Sequence, residues 1–600
     1  MVGRGLAVLP PGLFLVLGAA LLASLIGASL APLFDVDEGA FSEATREMLA
    51  SADFGFTFLN GQPRFDKPIL VYWLQAVSLA AFGLHELAAR LPSILAGLGA
   101  ALSASFFAAR WSATPSNAWL AAVLFSSSTG PLVMRHAATA DALLHLLLLL
   151  SVLCLIESMR VAPPLSRIPL RLAWAFSALA VLTKGLIGLL VPVCTVLGLC
   201  LLRRTLTPLR HALSDPVAVG LWLALCLPWY LYAYLRFDTA FIAGLFGKHH
   251  LERTVRALEG HTGSPGYTPL MLLVLGLPFT PWILAGTWRT LRNAPRRIET
   301  QALAAWCLSL LLVFSLVATK LPHYAMYALL PLLMLAALGD GPRRSELLLG
   351  IALGAAMVLL GLYLDPLLEN LALRRPDGDY YRDLLAQRAR SWAAADGPSP
   401  PGSGIAALGL ATVMGWGALG ACLAALMGAL GWSARGSAGN AGGASNAGNA
   451  SNAGNAGNAS NAGNAGNAGN AGNADNAGGA GLAGGLANCA SLLGLGAAMH
   501  LSLCLSTLPL VGVVLQGPTR EVARASAPHP TVTYRFRAPS VAFYREQITA
   551  DRMPVPGEQV ILRASDLPTL AREAGARAIF QPVHRAGPVV LLRREADAQP

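Results

Sequence analysis

Apolar runs long enough to cross a bilayer recur from Leu6 to residue 516, more than any soluble core could bury. A crossing takes about 20 mostly apolar residues. On that measure spans are expected at Leu6 to Leu33 and near 88–109, 116–133, 141–158, 169–183, 185–202, 215–235, 268–288, 300–318, 322–339, 345–364, 404–432 and 488–516. The expected fold is therefore an all-α polytopic membrane protein of about thirteen transmembrane helices. Composition agrees: the 600 residues are 54% hydrophobic and 12% charged, whereas soluble domains carry about 25% charged residues. The run after Arg4 is longer than the apolar core of a signal peptide and reads as an uncleaved first span.

The formal charge of +11 does not point to nucleic acid, because the arginines are scattered through short interhelical loops. Arg110, Arg160, Arg167, Arg171, Arg203, Arg204, Arg210, Arg289, Arg292, Arg296, Arg297, Arg343 and Arg344 occupy alternate gaps, and the positive-inside rule makes those gaps cytoplasmic. The opposite gaps, with the C-terminal segment, are then outside. Eight cysteines lie in apolar runs without CxxC spacing, which signals neither a zinc site nor a disulfide framework. The Ala-, Gly- and Arg-rich composition is that of a GC-rich bacterial genome, and a bacterial cytoplasmic membrane is the expected location.

Two segments differ in kind. Residues 436–487 are an Asn-Ala-Gly tract with almost no charge and few large apolar side chains, so a disordered cytoplasmic loop is expected there. Residues 517–600 can fold. Thr531 to Phe536, Gln559 to Leu562, Arg577 to Phe580 and Pro588 to Leu592 read as strands and Asp566 to Ala574 as a helix. A small extracytoplasmic α/β domain at 517–600 is expected after a transmembrane domain at 1–516.

The first outer gap, 34–67, carries the densest polar chemistry. Asp35, Asp37 and Glu38 follow the first span directly and must face water or a polar cavity, since a carboxylate in lipid is costly. Phe41, Ala44 and Met48 share one helical face, which predicts an amphipathic helix along the membrane surface. Asn60-Gly61 signals a turn, and Pro68 suits the first position of a second helix, placing Lys67 at its positive end. A snorkelling lysine in an acidic loop is the plainer alternative.

The chain has four lysines, Lys67, Lys184, Lys248 and Lys320, and all fall in outer gaps. A lysine presents a compact point charge suited to phosphate oxygens. Arg135-His136 and Thr139-Ala140-Asp141 stand at the outer start of the fourth span. Leu182-Thr183-Lys184-Gly185 breaks two apolar runs, and Lys320-Leu321-Pro322-His323-Tyr324 opens the tenth span. Each has a plain alternative: a capping aspartate, a tight turn, an interfacial anchor. The His and Glu residues of Lys248-His249-His250-Leu251-Glu252-Arg253 match no strong zinc spacing. Five polar motifs on one membrane face nevertheless predict one shared site.

With these motifs in order, the chain resembles bacterial GT-C glycosyltransferases related to protein O-mannosyltransferases and to the aminoarabinose transferase that modifies lipid A. The resemblance rests on DVDEGAFSEATREML, NGQPRFDKPILVYWLQAVSLAAFG, HELAARLPS, TADALL, LTKG, HHLERTV and KLPHY. It implies transfer of a sugar from a polyprenyl-phosphate carrier to a lipid, glycan or lipid A-like acceptor, with inversion, outside the cytoplasmic membrane. It also implies roles. Asp37 would be the catalytic base and Asp141 a second acid. Lys67 and Arg253 would grip the carrier phosphate, and Lys184, Lys320 and His323 would line the donor pocket. Glu38 and Arg135 would line the same site. A divalent cation is implied near Asp66, a glutamate in the aminoarabinose enzymes, with His250 as its one nameable partner. The rival functions are a protein O-glycosyltransferase and a transporter or flippase of lipid-linked sugars; a transporter should show midplane charges and often internal repeats.

Overall fold

The computed structural model describes residues 10–112, 114, 116–245, 247, 262–363, 417–426, 490–575 and 577–595. The expected disordered tract, the outer segment 365–403, Lys248, His250 and Arg253 lie outside the described residues.

The first span is α1, Pro11–Leu30. The outer gap then folds as α2, Asp37–Ser51, and a two-stranded hairpin of β1, Phe58–Leu59, and β2, Gln62–Pro63. Its turn residues Asn60 and Gly61 both have positive φ, 52° and 72°, the backbone that a two-residue hairpin needs and that Asn-Gly supplies. The Glu47 carboxylate accepts both turn N–H groups, at 2.5 and 3.0 Å. Next come α3, Leu70–Phe82, and α4, Glu86–Trp111. They are followed by α5, Ser116–Ser127, α6, Thr129–Arg135, and α7, Asp141–Arg160. The run continues with α8, Arg167–Lys184, α9, Ile187–Arg203, the short α10, Thr207–Ala212, and α11, Pro216–Ile242.

Seven helices among the described residues have the length and composition of a crossing. An eighth is added if the pair Tyr267–Leu275 and Thr280–Asn293, bent by 104°, is one span. The remaining apolar helices, such as Leu70–Phe82 and Pro322–Leu338, have 10–17 residues. The count of about thirteen spans treated every apolar run as straight and full-length. Instead the expected 116–133 span divides into α5 and α6 at Ser128, and the 268–288 span turns sharply ahead of Pro278. The 404–432 span is described only at 417–426.

Helix α7 is the centre of the bundle. Leu144, Leu148, Leu149, Val152 and Leu153 are fully buried, packed between α4 and α8. By contrast Leu221, Leu227, Leu231 and Leu235 of α11 are exposed. An apolar helix surface of this kind is stable only against lipid.

The expected surface position of α2 is not what the structure adopts. Residues 38–48 are buried all round, between α3 on one side and the helix Ser540–Arg545 on the other. Its polar residues are satisfied internally: Arg46 donates to both oxygens of Glu43, at 2.8 and 2.7 Å, and to the Glu546 carbonyl at 3.0 Å. A periodicity argument treats the polar face as wet and cannot see a second domain covering it. Burial also lifts the Glu43 carboxyl to about 7, against the opposing pull of Arg46.

That second unit is a four-stranded sheet in the order β3-β4-β6-β5. Strand β3 is Thr531–Thr533, β4 Gln559–Arg563, β5 Phe580–Ala586 and β6 Val589–Arg594. The pair β3–β4 is parallel and the other two are antiparallel. The expected third strand at 577–580 lies instead at 580–586, hairpinned to β6 through Gly587. The division expected between 516 and 517 falls inside one helix, Leu508–Ser526, which carries the chain from the bundle onto the sheet.

Candidate active site

The segment before α2 is clamped from two directions. Arg90 of α4 donates to both oxygens of Glu38, at 2.8 and 2.6 Å, and to the carbonyls of Ala28, Ala31 and Pro32. Glu38 also accepts from the backbone N–H groups of Phe34 and Ala138, at 2.8 and 2.6 Å. One buried ion pair thus ties α1, α2, α4 and the residues ahead of α7. On the other side Ser540 donates its backbone N–H to Asp35 at 2.9 Å, and its hydroxyl donates to the second Asp35 oxygen. Gly39 permits this approach, since a Cβ there would lie 2.6 Å from the Ser540 nitrogen.

Burial raises the Asp35 carboxyl to about 6, despite the two Ser540 hydrogen bonds that favour its charged form. Relative to its ordinary value of 3.8 this is an upward shift, so the contact is strongest below that value and weakens as pH rises through about 6. Asp35→Asn, neutral and still able to accept the backbone N–H, is expected to keep the C-terminal unit docked. Asp35→Ala should release it, increasing hydrogen exchange at residues 540–545 severalfold; equal exchange in the two variants would contradict the clamp.

Between these clamps Asp37, the first residue of α2, faces a cavity of about 320 Å³. Glu38, Arg90, His136, Asp141 and His323 share its wall. Asp141 opens α7 and Lys184 closes α8, an acid and a cation at the helix ends whose dipoles favour them. They are joined by an ion pair of 2.5 Å with both side chains largely buried. Thr139 donates to the other Asp141 oxygen at 3.3 Å. Burial and the Asp141 charge raise the Asp37 carboxyl above its ordinary value, while Lys67 and Lys184 pull it back. Asp66, Lys67, Asp141 and Lys184 therefore each lie within electrostatic reach of Asp37, and His323 lies within reach of Lys67, Asp141 and Lys184.

Lys67 reaches Asp66 at 2.6 Å, and Arg64 holds the other Asp66 oxygen at 2.9 Å. Helix α3 begins at Leu70, so Pro68 and Lys67 precede it rather than opening it. Asp66 already carries two cationic partners, which makes it a poor metal ligand. Among the described residues no three His, Cys, Asp or Glu side chains are grouped as a metal would require. His250, the expected partner of Asp66 at such a cation, lies outside the described residues.

Two expected site residues turn elsewhere. Lys320 donates to the Phe314 and Ser315 carbonyls, at 3.2 and 2.7 Å, at the C-terminal end of the helix Ile298–Leu316. Arg135 points into the bundle, donating to Ser24 Oγ at 3.0 Å and to the Ser126 carbonyl. Glu38 borders the cavity but serves Arg90. Sequence reasoning passed over Arg90, Arg64 and Ser540. For Arg90 a signal existed, a charge one turn into a largely apolar helix; for Ser540 there was none, because its partner lies 505 residues away.

Residues 33–242 match the family model described as dolichyl-phosphate-mannose-protein mannosyltransferase. The undecaprenyl phosphate-alpha-4-amino-4-deoxy-L-arabinose arabinosyl transferase of Yersinia enterocolitica is 30% identical over 312 residues, 51% of this chain and 55% of that one. The second such transferase of Pseudomonas fluorescens is 31% identical over 345 residues, 55% of this chain and 57% of that one. The chain thus spans about half the length of the curated relatives it matches. The crystal structure of ArnT from Cupriavidus metallidurans bound to undecaprenyl phosphate superimposes with a TM-score of 0.71 at 18% identity, over 96% of this chain and 97% of that one. The chain therefore shares the fold of that crystal structure.

Proposed function

We propose that the protein is an inverting glycosyltransferase that moves a sugar from a polyprenyl-phosphate carrier to a lipid, glycan or lipid A-like acceptor. The observation that carries this reading is that Asp37, Asp141 and His323, from separate gaps of the sequence, line one cavity, with Lys184 ion-paired to Asp141 and Lys67 within electrostatic reach of Asp37. The printed activity of the relatives, which use an undecaprenyl phosphate sugar, supports it.

In the proposed reaction an acceptor hydroxyl attacks the anomeric carbon as the bond from that carbon to the carrier phosphate oxygen breaks. Asp37 takes the hydroxyl proton, or orients the acceptor if its nucleophile is itself a phosphate. Lys67, a compact point charge, stabilises the charge growing on the departing phosphate. Arg253 would assist from the outer loop. The Lys184 and Asp141 pair keeps both charges in place beside the sugar without a net field that would repel either partner. Lys320 and Arg135 act through the frame, by closing a helix end and by tying α6 to α1. We assign the cavity and residues 517–600 to the outer face of a bacterial cytoplasmic membrane. The alternating arginine gaps support that orientation, and nucleotide sugars, being cytoplasmic, are then replaced by a lipid-linked donor.

Lys67→Ala is the test. Removing a cation from a leaving phosphate should raise KM for the lipid-linked sugar about tenfold or more and lower kcat as well, measured with purified protein in lipid. Unchanged KM and kcat would reject the phosphate role.

A further inference from the structure

A cavity of about 250 Å³ lies at the end of the bundle away from Asp37. Helix α4 runs between the two: Arg90, near its start, serves Glu38, and Ser112 follows its far end. The other walls are the start of α5, the end of the helix Thr280–Asn293, the start of the helix Ile298–Leu316 and the turn after the helix Met326–Leu338. These are arginine-bearing gaps, which the orientation above places on the cytoplasmic side.

The lining holds donors that lack an acceptor. Ser112 is 7% exposed, and its hydroxyl has no hydrogen-bond partner among the described residues. The helix Ile298–Leu316 has no side-chain cap, and the N–H of Gln301 is the first to find a carbonyl, that of Arg297. The N–H groups ahead of it, from Ile298 to Thr300, therefore form a positive helix end open to an anion. Arg289 holds Glu346 through its two Nη atoms while its Nε has no partner among the described residues. Arg297, exposed at the rim, uses Nη2 for the Trp111 carbonyl at 2.5 Å and for Glu299 at 2.6 Å.

The charges of the lining narrow the ligand. Arg289 and Arg297 are balanced by Glu299 and Asp340. Glu299 is buried against Arg297, whereas Asp340 is exposed. A free anion gains little from a wall without net charge, but a headgroup with a phosphate and a primary ammonium finds a charge-assisted partner for each end. Depth agrees. Trp288, beside Arg289, is 67% exposed, and Leu284, one turn earlier, is exposed as well. A bare Trp between a lipid-facing Leu and an arginine marks the level of the headgroups.

We infer that this cavity binds the headgroup of a phospholipid bearing a primary amine. The phosphate sits on Ser112, the N-terminus of the helix Ile298–Leu316 and Arg297, and the ammonium on Asp340. The site is separate from sugar transfer and joins the ends of helices from both halves of the bundle through one lipid.

The experiment titrates full-length protein in detergent with phosphatidylethanolamine, phosphatidylcholine or phosphatidylglycerol and measures the lipid retained by native mass spectrometry. Phosphatidylcholine has the same charges but a quaternary amine that cannot donate a hydrogen bond, and phosphatidylglycerol has no amine. We expect wild type to retain phosphatidylethanolamine about tenfold more tightly than either of the others. Asp340→Asn should abolish that preference and leave the weaker binding common to all three lipids. Ser112→Ala should weaken retention of every lipid severalfold. Both changes spare folding, since Asp340 is exposed and the Ser112 hydroxyl has no partner among the described residues to lose. Equal retention of phosphatidylethanolamine and phosphatidylcholine by wild type, or a preference that survives Asp340→Asn, would overturn the assignment. So would unchanged retention in Ser112→Ala, or tighter retention of phosphatidylglycerol, because the site would then take a simple anion.

Discussion

Asp37→Asn is expected to lower sugar transfer by roughly 10²–10⁴-fold, the range that a positioned general base contributes, with little change in donor affinity. The amide keeps the size and the hydrogen-bonding reach of the carboxylate but cannot accept a proton. The pH profile gives an independent check. Burial and the neighbouring charge of Asp141 raise the Asp37 carboxyl, and the reaction needs it ionised. Activity should therefore fall with acid through a value above the ordinary carboxylate range, and that limb should vanish from the residual activity of the variant. Transfer equal to wild type, or an unaltered acid limb, would remove Asp37 from the role of base.

Arg90→Leu is the second large effect, and it acts on the frame. The Arg90 and Glu38 side chains are 2% and 4% exposed, so deleting the cation leaves a carboxylate buried without its charge partner, a loss of roughly 3–5 kcal/mol. Three carbonyls, of Ala28, Ala31 and Pro32, lose donors at the same time. Stabilities of whole domains are about 5–15 kcal/mol, so the variant should unfold at a much lower temperature in detergent. Arg90→Leu combined with Glu38→Gln should recover part of the loss, because the orphaned charge is then gone and the amide oxygen still accepts from one of the Phe34 and Ala138 N–H groups. An unchanged Tm in the single variant would show that the pair does not hold the α1, α2 and α4 junction.

The site was legible in the sequence to the extent that chemistry was confined to gaps between apolar runs. Asp37, Lys67, Asp141, Lys184 and His323 stood out because a charge or an imidazole beside a span has few reasons to be there; of these Asp37, Asp141 and His323 line the cavity, and Lys184 pairs with Asp141. Lys320 and Arg135 stood out for the same reason yet serve helix ends and interhelical contacts. Position beside a span does not reveal the direction of a long side chain. The burial of α2 was hidden because hydrophobic periodicity describes a helix against one surface, and α2 has the helix Ser540–Arg545 on its other side. The sheet was foreseen from β-branched and aromatic content, whereas its contact with Asp35 depended on a tertiary arrangement that no local pattern encodes.

The central claim, a sugar taken from a polyprenyl-phosphate carrier, is tested most directly by incubating purified protein in lipid vesicles with radiolabelled polyprenyl-phosphate sugars and extracted cell-envelope lipids. The account predicts label in the acceptor lipid fraction from at least one lipid-linked donor and none from the matching nucleotide sugar. Movement of the intact donor across the vesicle membrane without label in any acceptor would contradict it and make the protein a transporter.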